Sequence, residues 1–495
     1  MRVLADRHDS MPTAQPERPE HRSVAVVGAG VTGLVAAYEL RKRGVNVTLF
    51  EASDHAGGMI CTSHDDGFLA EHGPNSFVTS APVEELLAQL DLLGDVVEAN
   101  PEANRRYVVR GGALLPFPLS PPAMLGTKLF SLTAKLRVLF EPLVRRGQPD
   151  SDESVASFVR RRLGHEVLDY AVDPFVSGIF AGDTEMLSMA HAFPRVYQLE
   201  REHGSLSNGL MAQRRRARVA ASSAGNTSGT APNAESGPAT PARTRLISFV
   251  DGMQSLTDAL AASLGSALRL GCPVRLLHRE DSRWVVDAGH DNAPQLRTFD
   301  AVVMATPSHV LAAMELPAAL RKYATPVERV EYPSVSTLTL AFKRADVSHP
   351  LDGFGMLIPS SEQRSVLGAL FSSSLFPARA PADHVVITCF VGGARHPEIA
   401  REDTAALIAR VLGELKELLG VRGAPVYTKH VFWPKAIPQY NVGYATVKAA
   451  ADATEVANPG LYLGGNYRNG VSVGDCVASG QQIAQRVEAY LARKN

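Results

Sequence analysis

The stretch VAVVGAGVTG, from Val24 to Gly33, decides how the rest of the chain is read. An apolar run, Ser23 to Val27, has the character of a strand, and Gly28, Gly30 and Gly33 follow it as GxGxxG. In such a loop the first glycine allows a tight turn and the second lets a pyrophosphate approach the backbone. The third permits close helix–strand packing. The helix that opens there offers unpaired N–H groups to phosphate oxygens. Its spacing turns Leu34, Ala37, Tyr38 and Leu40 towards a sheet, and Gly44 ends it. A second strand then closes on Glu51, where a carboxylate can accept hydrogen bonds from a ribose diol. The pattern is strand, glycine turn, helix, strand, a dinucleotide-binding unit of an α/β fold.

The chain has 495 residues, enough for two or three domains, and its 45% hydrophobic content is ordinary for a buried globular core. A net charge of −1 gives no support to a nucleic-acid partner. Cys61, Cys272, Cys389 and Cys476 lie far apart without CxxC or Cys/His metal spacing, so they are read as reduced thiols with no metal site. Residues 1–22 hold acids and prolines without the apolar core of a signal peptide, and are read as a flexible lead-in. No apolar run reaches the roughly 18 residues of a spanning helix.

The organisation expected from composition is discontinuous. Segments of α/β character fall at 23–95, 244–310 and 431–495, with a helical domain at 96–212 and a strand-rich part at 311–430. That last part is punctuated by glycine and proline, as in an antiparallel sheet. Residues 214–243 have almost no bulky apolar side chains and read as a disordered insertion.

Two further motifs bear on the nucleotide. After Glu51 comes ASDHAGGM, with Gly57 and Gly58 close behind the acid. This resembles the double-glycine extension of glutathione-reductase-like and amine-oxidase-like flavoproteins, with His55 where arginine is common. Far along the chain, YLGGNYRNGVSVGDCVASG places a Gly-Asp pair before a helix. It resembles the C-terminal flavin motif of the same superfamily. The resemblance implies FAD, with Asp475 bonding the ribityl chain and the following helix aiming its positive end at the flavin ring.

No GxSxG, HExxH or Cys/His pair is present, so no catalytic protein residue is expected and the redox step is left to a cofactor. The segments ESVASFVRRRLGHEVLDYAVDPFVSGIFAGDTEMLSM, GFGMLIPSS, VLGALFSSS, HVVITCFVGG and IPQYNVGY resemble the oxygen-using, FAD-dependent protoporphyrinogen oxidases. AEHGPNSF at 70–77 and VSGIFAGD at 176–183 are similar to the plant-type and bacterial members. The resemblance implies a Rossmann-type FAD domain carrying an inserted antiparallel-sheet substrate domain and an inserted helical domain.

The implied activity is a six-electron oxidation of protoporphyrinogen IX in three two-electron steps, with hydride passing to flavin N5. Dioxygen is the final acceptor and becomes hydrogen peroxide. The implied substrate residues are Arg106 for a propionate, and Phe354, Leu357, Leu370 and Phe390 for the macrocycle. Val274 falls where a strand backbone approaches the adenine end. FVDGMQSL, 249–256, is read as structural support near the flavin.

The stretch PFPLSPPAMLGTKLFSLTAKLRVLFEPLVRR mixes Leu, Phe and Met with Lys128, Lys135, Arg137, Arg145 and Arg146. Such a basic amphipathic surface suits a lipid interface, and the family resemblance implies peripheral attachment on the cytoplasmic face of the membrane. The oligomeric state is unread, and a homodimer is compatible with the chain. The runner-up function is coproporphyrinogen III oxidation. More distant is another amine-oxidase-fold flavoenzyme, for which the 6% aromatic content is low.

Overall fold

Ser23–Val27 stands at the centre of a five-stranded parallel sheet. Asn46–Phe50 and Ala301–Met304 flank it, and Leu268–Arg269 and Leu461–Leu463 form the two edges. Parallel neighbours need crossovers, and the chain fills them with helices and with whole inserted domains. The protein is seen as a computed structural model that describes residues 22–148, 151–224, 245–289 and 295–494. The expected flexible lead-in, save Arg22, lies outside the described residues.

Helix Val31–Lys42 is buried nearly all round rather than along one stripe. The sheet covers one side, and helices Gln254–Leu264 and Val473–Arg493 cover the others. Tyr38 is only half-buried at the edge of this cluster, while Leu34, Ala37 and Leu40 are fully enclosed. Gly44 follows the helix at φ +77°, as its place in the sequence requires.

A seven-stranded sheet forms the second body. Its order is Tyr427–Trp433, Val335–Lys343, His384–Gly392, Val366–Leu370, Gly353–Leu357, Arg105–Arg110 and Ala113–Pro116. One face is closed by helix Thr404–Leu419, where Leu338, Leu340, Phe342, Ile387 and Cys389 meet Leu407, Val411 and Leu415. Because side chains alternate along a strand, the intervening residues are left to the opposite face.

Several sequence boundaries move. The segment 96–212 is not helical throughout, because Arg105–Arg110 and Ala113–Pro116 form a hairpin that extends the substrate sheet. Gly111 and Gly112 both take positive φ, the two-residue turn that a tight hairpin favours. The sheet is antiparallel except where Gly353–Leu357 runs parallel to that added strand. At its far edge the sheet continues to Trp433, past the expected end at 430. Helix Leu206–Ala224 runs eleven residues into the expected insertion, since Arg, Ala and Gln hold a helix well without burial. Most of the remainder, from residue 225, lies outside the described residues.

The helical region is organised around Arg162, which is wholly buried and paired with Glu200 at 2.9 Å and Glu141 at 3.3 Å. Glu141 in turn accepts from the backbone N–H groups of Leu206 and Ser207 at the start of helix Leu206–Ala224. Losing either partner of such a pair strands a buried charge.

The contact between helices Val31–Lys42 and Val473–Arg493 depends on Gly480, where a Cβ would lie 2.7 Å from the Thr32 carbonyl oxygen. Gly480→Ala is expected to destabilise the protein by about 1–3 kcal/mol through overpacking. Thermal unfolding reads this directly, and an unchanged Tm would show that the helices separate without cost.

Candidate active site

The glycine loop has one open position and two closed ones. A Cβ at Gly33 would overlap the Gly28 carbonyl oxygen, and one at Gly28, whose φ is +98°, would touch Ala305 O at 3.0 Å. At Gly30 a Cβ would meet nothing within 4 Å. Gly30 is also the N-cap of helix Val31–Lys42 and no side chain caps that end. The first-turn amides are therefore left without a side-chain cap beside an open backbone position, as a pyrophosphate site requires.

Glu51 holds the loop in this shape. Its Oε2 accepts from the Ala29 N–H at 2.7 Å, and its Oε1 from the Ser53 N–H at 2.9 Å and hydroxyl at 2.8 Å. Gly57 N–H donates to Ala29 O at 2.8 Å, so the double-glycine extension lies alongside the first loop. Gly58, at φ +62°, approaches Gly30 closely: a Cβ there would sit 3.3 Å from Gly30 Cα. His55 is exposed and bonds Asp54 at 3.0 Å. Val274 does not lie in a strand. It belongs to the extended link before Leu276–Glu280, and that link is tied to the acid by Cys272 N–H donating to Glu51 O at 2.7 Å.

The distant Gly-Asp motif arrives at the same place. Thr32 Oγ1 donates to Cys476 O at 3.3 Å across 444 residues of sequence. Asp475 is exposed and caps its own helix, its Oδ2 accepting from Ser472 N–H and Oγ–H at 3.3 and 2.6 Å while Ser472 Oγ accepts from Asp475 N–H. Two helix N-termini thus converge, one from each end of the chain. Beside them, burial pushes the Cys476 thiol up to about 11, so it stays neutral.

The open face of the seven-stranded sheet carries the other expected residues. Leu357, Leu370 and Phe390 alternate with Met356, Ala369 and Cys389 of the helix-covered core and are half-buried. Phe354 packs with Leu370. The guanidinium of Arg106 lies 5.3 Å from the Phe354 ring centroid and forms no ion pair among the described residues. Its neighbour Arg105 is committed instead: it pairs with Asp352, which also accepts from the Tyr107 hydroxyl at 2.6 Å. The Tyr107 hydroxyl first, and the Arg105 charge after it, hold the Asp352 carboxyl below its ordinary range. Of the two adjacent arginines, Arg106 is the one free to meet a carboxylate.

VSGIFAGD, 176–183, carries no expected site residue in the sequence pattern. Helix Asp173–Phe180 lays this segment over the open sheet face, with Leu357 so near that a Cβ on Gly178 would lie 2.9 Å from its Cδ2. Phe175 and Ile179, one turn apart around that glycine, remain 48% and 39% exposed. Large apolar side chains left open beside a helix glycine were the available signal. AEHGPNSF proves to be a joint between the two bodies: His72 O accepts from Trp433 Nε1–H at 2.8 Å, and Glu71 pairs with Arg379 at 3.3 Å.

The description "Flavin containing amine oxidoreductase" belongs to a family whose pattern matches residues 31–488. The chain belongs to this family. It is 36% identical to the mitochondrial protoporphyrinogen oxidase of Nicotiana tabacum, over 95% of both chains. It is 31% identical to the coproporphyrinogen III oxidase of Propionibacterium freudenreichii, over 95% of this chain and 92% of that one. A crystal structure of a provisionally named protoporphyrinogen oxidase from Exiguobacterium sp. 255-15 superposes with a TM-score of 0.77 at 25% identity, covering 94% of this chain and 99% of that one. The protein is an FAD-dependent oxidoreductase of the amine-oxidase fold.

The residues present fit that cofactor. Gly28, Gly30 and Gly33 would hold its phosphates, Glu51 beside them would face the adenosine half, and the second helix end lies against the same loop through Thr32 and Cys476. Gly30→Val, at an extended backbone position, should leave the stability of the FAD-free protein within about 0.5 kcal/mol of FAD-free wild type. It should lower FAD occupancy at least tenfold, read as the flavin-to-protein absorbance ratio of the purified protein. Full occupancy would place the phosphates elsewhere.

Proposed function

We propose that the protein oxidises protoporphyrinogen IX to protoporphyrin IX with dioxygen as the final acceptor, releasing hydrogen peroxide. One observation carries the reading: beside the apolar sheet face next to the flavin loops, Arg106 stacks on Phe354 and has no ion-pair partner among the described residues. A porphyrinogen is a broad, flexible, apolar ring with carboxylate tails, and Phe354, Leu357, Leu370 and Phe390 offer it walls while Arg106 offers a charge-assisted hydrogen bond. When bound, FAD supplies the two-electron oxidation.

The chain's residues do the rest. The sheet face and the helix above it orient the macrocycle, and their apolar side chains exclude water. The protons released in each step leave to solvent. The second reading, coproporphyrinogen III oxidation, has support from the Propionibacterium relative. Its substrate carries more carboxylates, and of the residues named on this face only Arg106 offers them a charge.

The exposed apolar surface supports a membrane-peripheral location. Leu125, Leu132, Leu139 and Leu143 are each more than two-thirds exposed, and Lys128, Arg137, Arg145 and Arg146 lie exposed in the same segment. A patch of this kind meets a lipid interface rather than water. Among the described residues no helix is long and apolar enough to cross a membrane. Four free cysteines suit the reducing, cytoplasmic face.

The deciding experiment follows porphyrin fluorescence in air, with the purified protein given protoporphyrinogen IX and coproporphyrinogen III in parallel. Faster turnover of the first is expected; preference for the second selects the runner-up, and oxidation of neither removes both. Arg106→Ala should raise KM for the porphyrinogen about tenfold, equivalent to about 1.4 kcal/mol, with FAD content intact. An unchanged KM would dismiss Arg106 as the carboxylate partner. Leu132→Asp combined with Leu139→Asp should release the protein from sedimenting vesicles of anionic lipid, whereas undiminished co-sedimentation would move the contact to another surface.

A further inference from the structure

The helix that covers the substrate face is short, and what holds it there is specific. Helix Asp173–Phe180 grows out of a π-helical turn, Leu168–Val172, and ends on Ala181 in the left-handed conformation at φ +46°. Eight residues between two such irregular ends do not fix their own position. The helix is instead tied down at both ends from the substrate-sheet side of the molecule.

At its start, Asp173 is buried, 2% exposed, and its Oδ2 accepts from the Ser360 N–H at 2.8 Å. Its Oδ1 accepts from Arg395 Nη2, in the segment that continues strand His384–Gly392. The same nitrogen reaches Asp183 Oδ1 at 3.5 Å and Thr184 Oγ1 at 3.4 Å beyond the helix end. One guanidinium nitrogen therefore spans the two ends of the helix. The residue before it repeats the link through the backbone, with Ala394 N–H donating to Ala181 O at 2.7 Å. Gln439 adds a third tie, its Nε2–H donating to Phe180 O at 2.8 Å.

These ties set the height of the helix above the sheet. Gly178 is already so close to Leu357 that a methyl group would collide, while Phe175 and Ile179 stand free on either side. Helix and sheet are therefore in direct contact at Gly178, and the same ties fix where Phe175 and Ile179 stand beside the sheet face. Without Arg395 the buried Asp173 carboxylate would lose its only ion-pair partner among the described residues and would be driven to seek water.

We propose that Arg395 is a positioning residue that fixes Phe175 and Ile179 as a side wall of the substrate site by clamping helix Asp173–Phe180 against the sheet. It rests on the porphyrinogen reading above. It does not touch the macrocycle, so its loss should weaken binding of substrate and transition state alike.

The test compares wild type, Arg395→Met and Arg395→Lys as full-length FAD-loaded proteins, recording KM and kcat for protoporphyrinogen IX, flavin content and Tm. Arg395→Met is expected to raise KM tenfold or more, with kcat within twofold and flavin content unchanged. Because all three side-chain contacts use one nitrogen, Arg395→Lys should bring KM back to within threefold of wild type. A wild-type KM in the Met variant, with only Tm lowered, would reduce Arg395 to a structural role and overturn the proposal. A tenfold rise in KM that lysine does not rescue would also overturn it. If the Met variant does not fold, Arg395→Gln replaces it with the same expected rise. Failure of the wild type to oxidise protoporphyrinogen would instead remove the functional reading itself, a result seen before any variant is compared.

Discussion

Everything in the molecule hangs on how closely helix Val31–Lys42 can be approached. On one side the Gly28 carbonyl presses against Gly33, and on the other the Thr32 carbonyl presses against Gly480. Neither contact leaves room for a methyl group. Backbone meets backbone, and the N-terminal ends of two helices are brought to one point although 444 residues separate Thr32 from Cys476. The cradle at Gly30 is open only because its neighbours are this tightly shut.

From that point the structure spreads through the joint at AEHGPNSF. Glu71 and Arg379 are both 3% exposed and face each other between the nucleotide half and the substrate sheet. Burial pushes the Glu71 carboxyl up and the Arg379 guanidinium down, each opposed by the charge of the other. Thr62 and the Met253 N–H complete the acceptor's partners, and Ser248 receives the arginine. A fully bonded pair at low dielectric fixes direction better than an apolar seam would. The open sheet face is thereby held at a set angle to the glycine loops.

Local signals carried much of this into the sequence. The GxGxxG loop, Glu51 and the stop at Gly44 are governed by backbone sterics within about twenty residues, and they stand where the pattern puts them. Leu357, Leu370 and Phe390 are singled out by resemblance alone, and their sorting onto one face follows from strand alternation. What stayed hidden depends on pairing across long distances. The hairpin at Arg105–Pro116 carried its own Gly-Gly turn, but nothing local said which sheet it would join. Asp475 reads as a cofactor ligand from its motif, whereas its visible bonds go to Ser472 of its own cap. Arg105 and Arg106 are indistinguishable until Asp352 claims one of them.

The strand order also governs when the protein can become itself. The edge strand Leu461–Leu463 and helix Val473–Arg493 are translated after every other part of the nucleotide half, yet they complete its sheet and its core. A nascent chain that has emerged only as far as Gly460 exposes the flank of Ala301–Met304 and the buried side of helix Val31–Lys42. The inserted substrate sheet, whose strands run from Arg105 to Trp433, is finished earlier. Translation therefore delivers the residues of the seven-stranded sheet before those that close the nucleotide half. Because the Thr32–Cys476 contact joins the two helix ends, the flavin's binding free energy can stabilise the fold only after that late helix has been added.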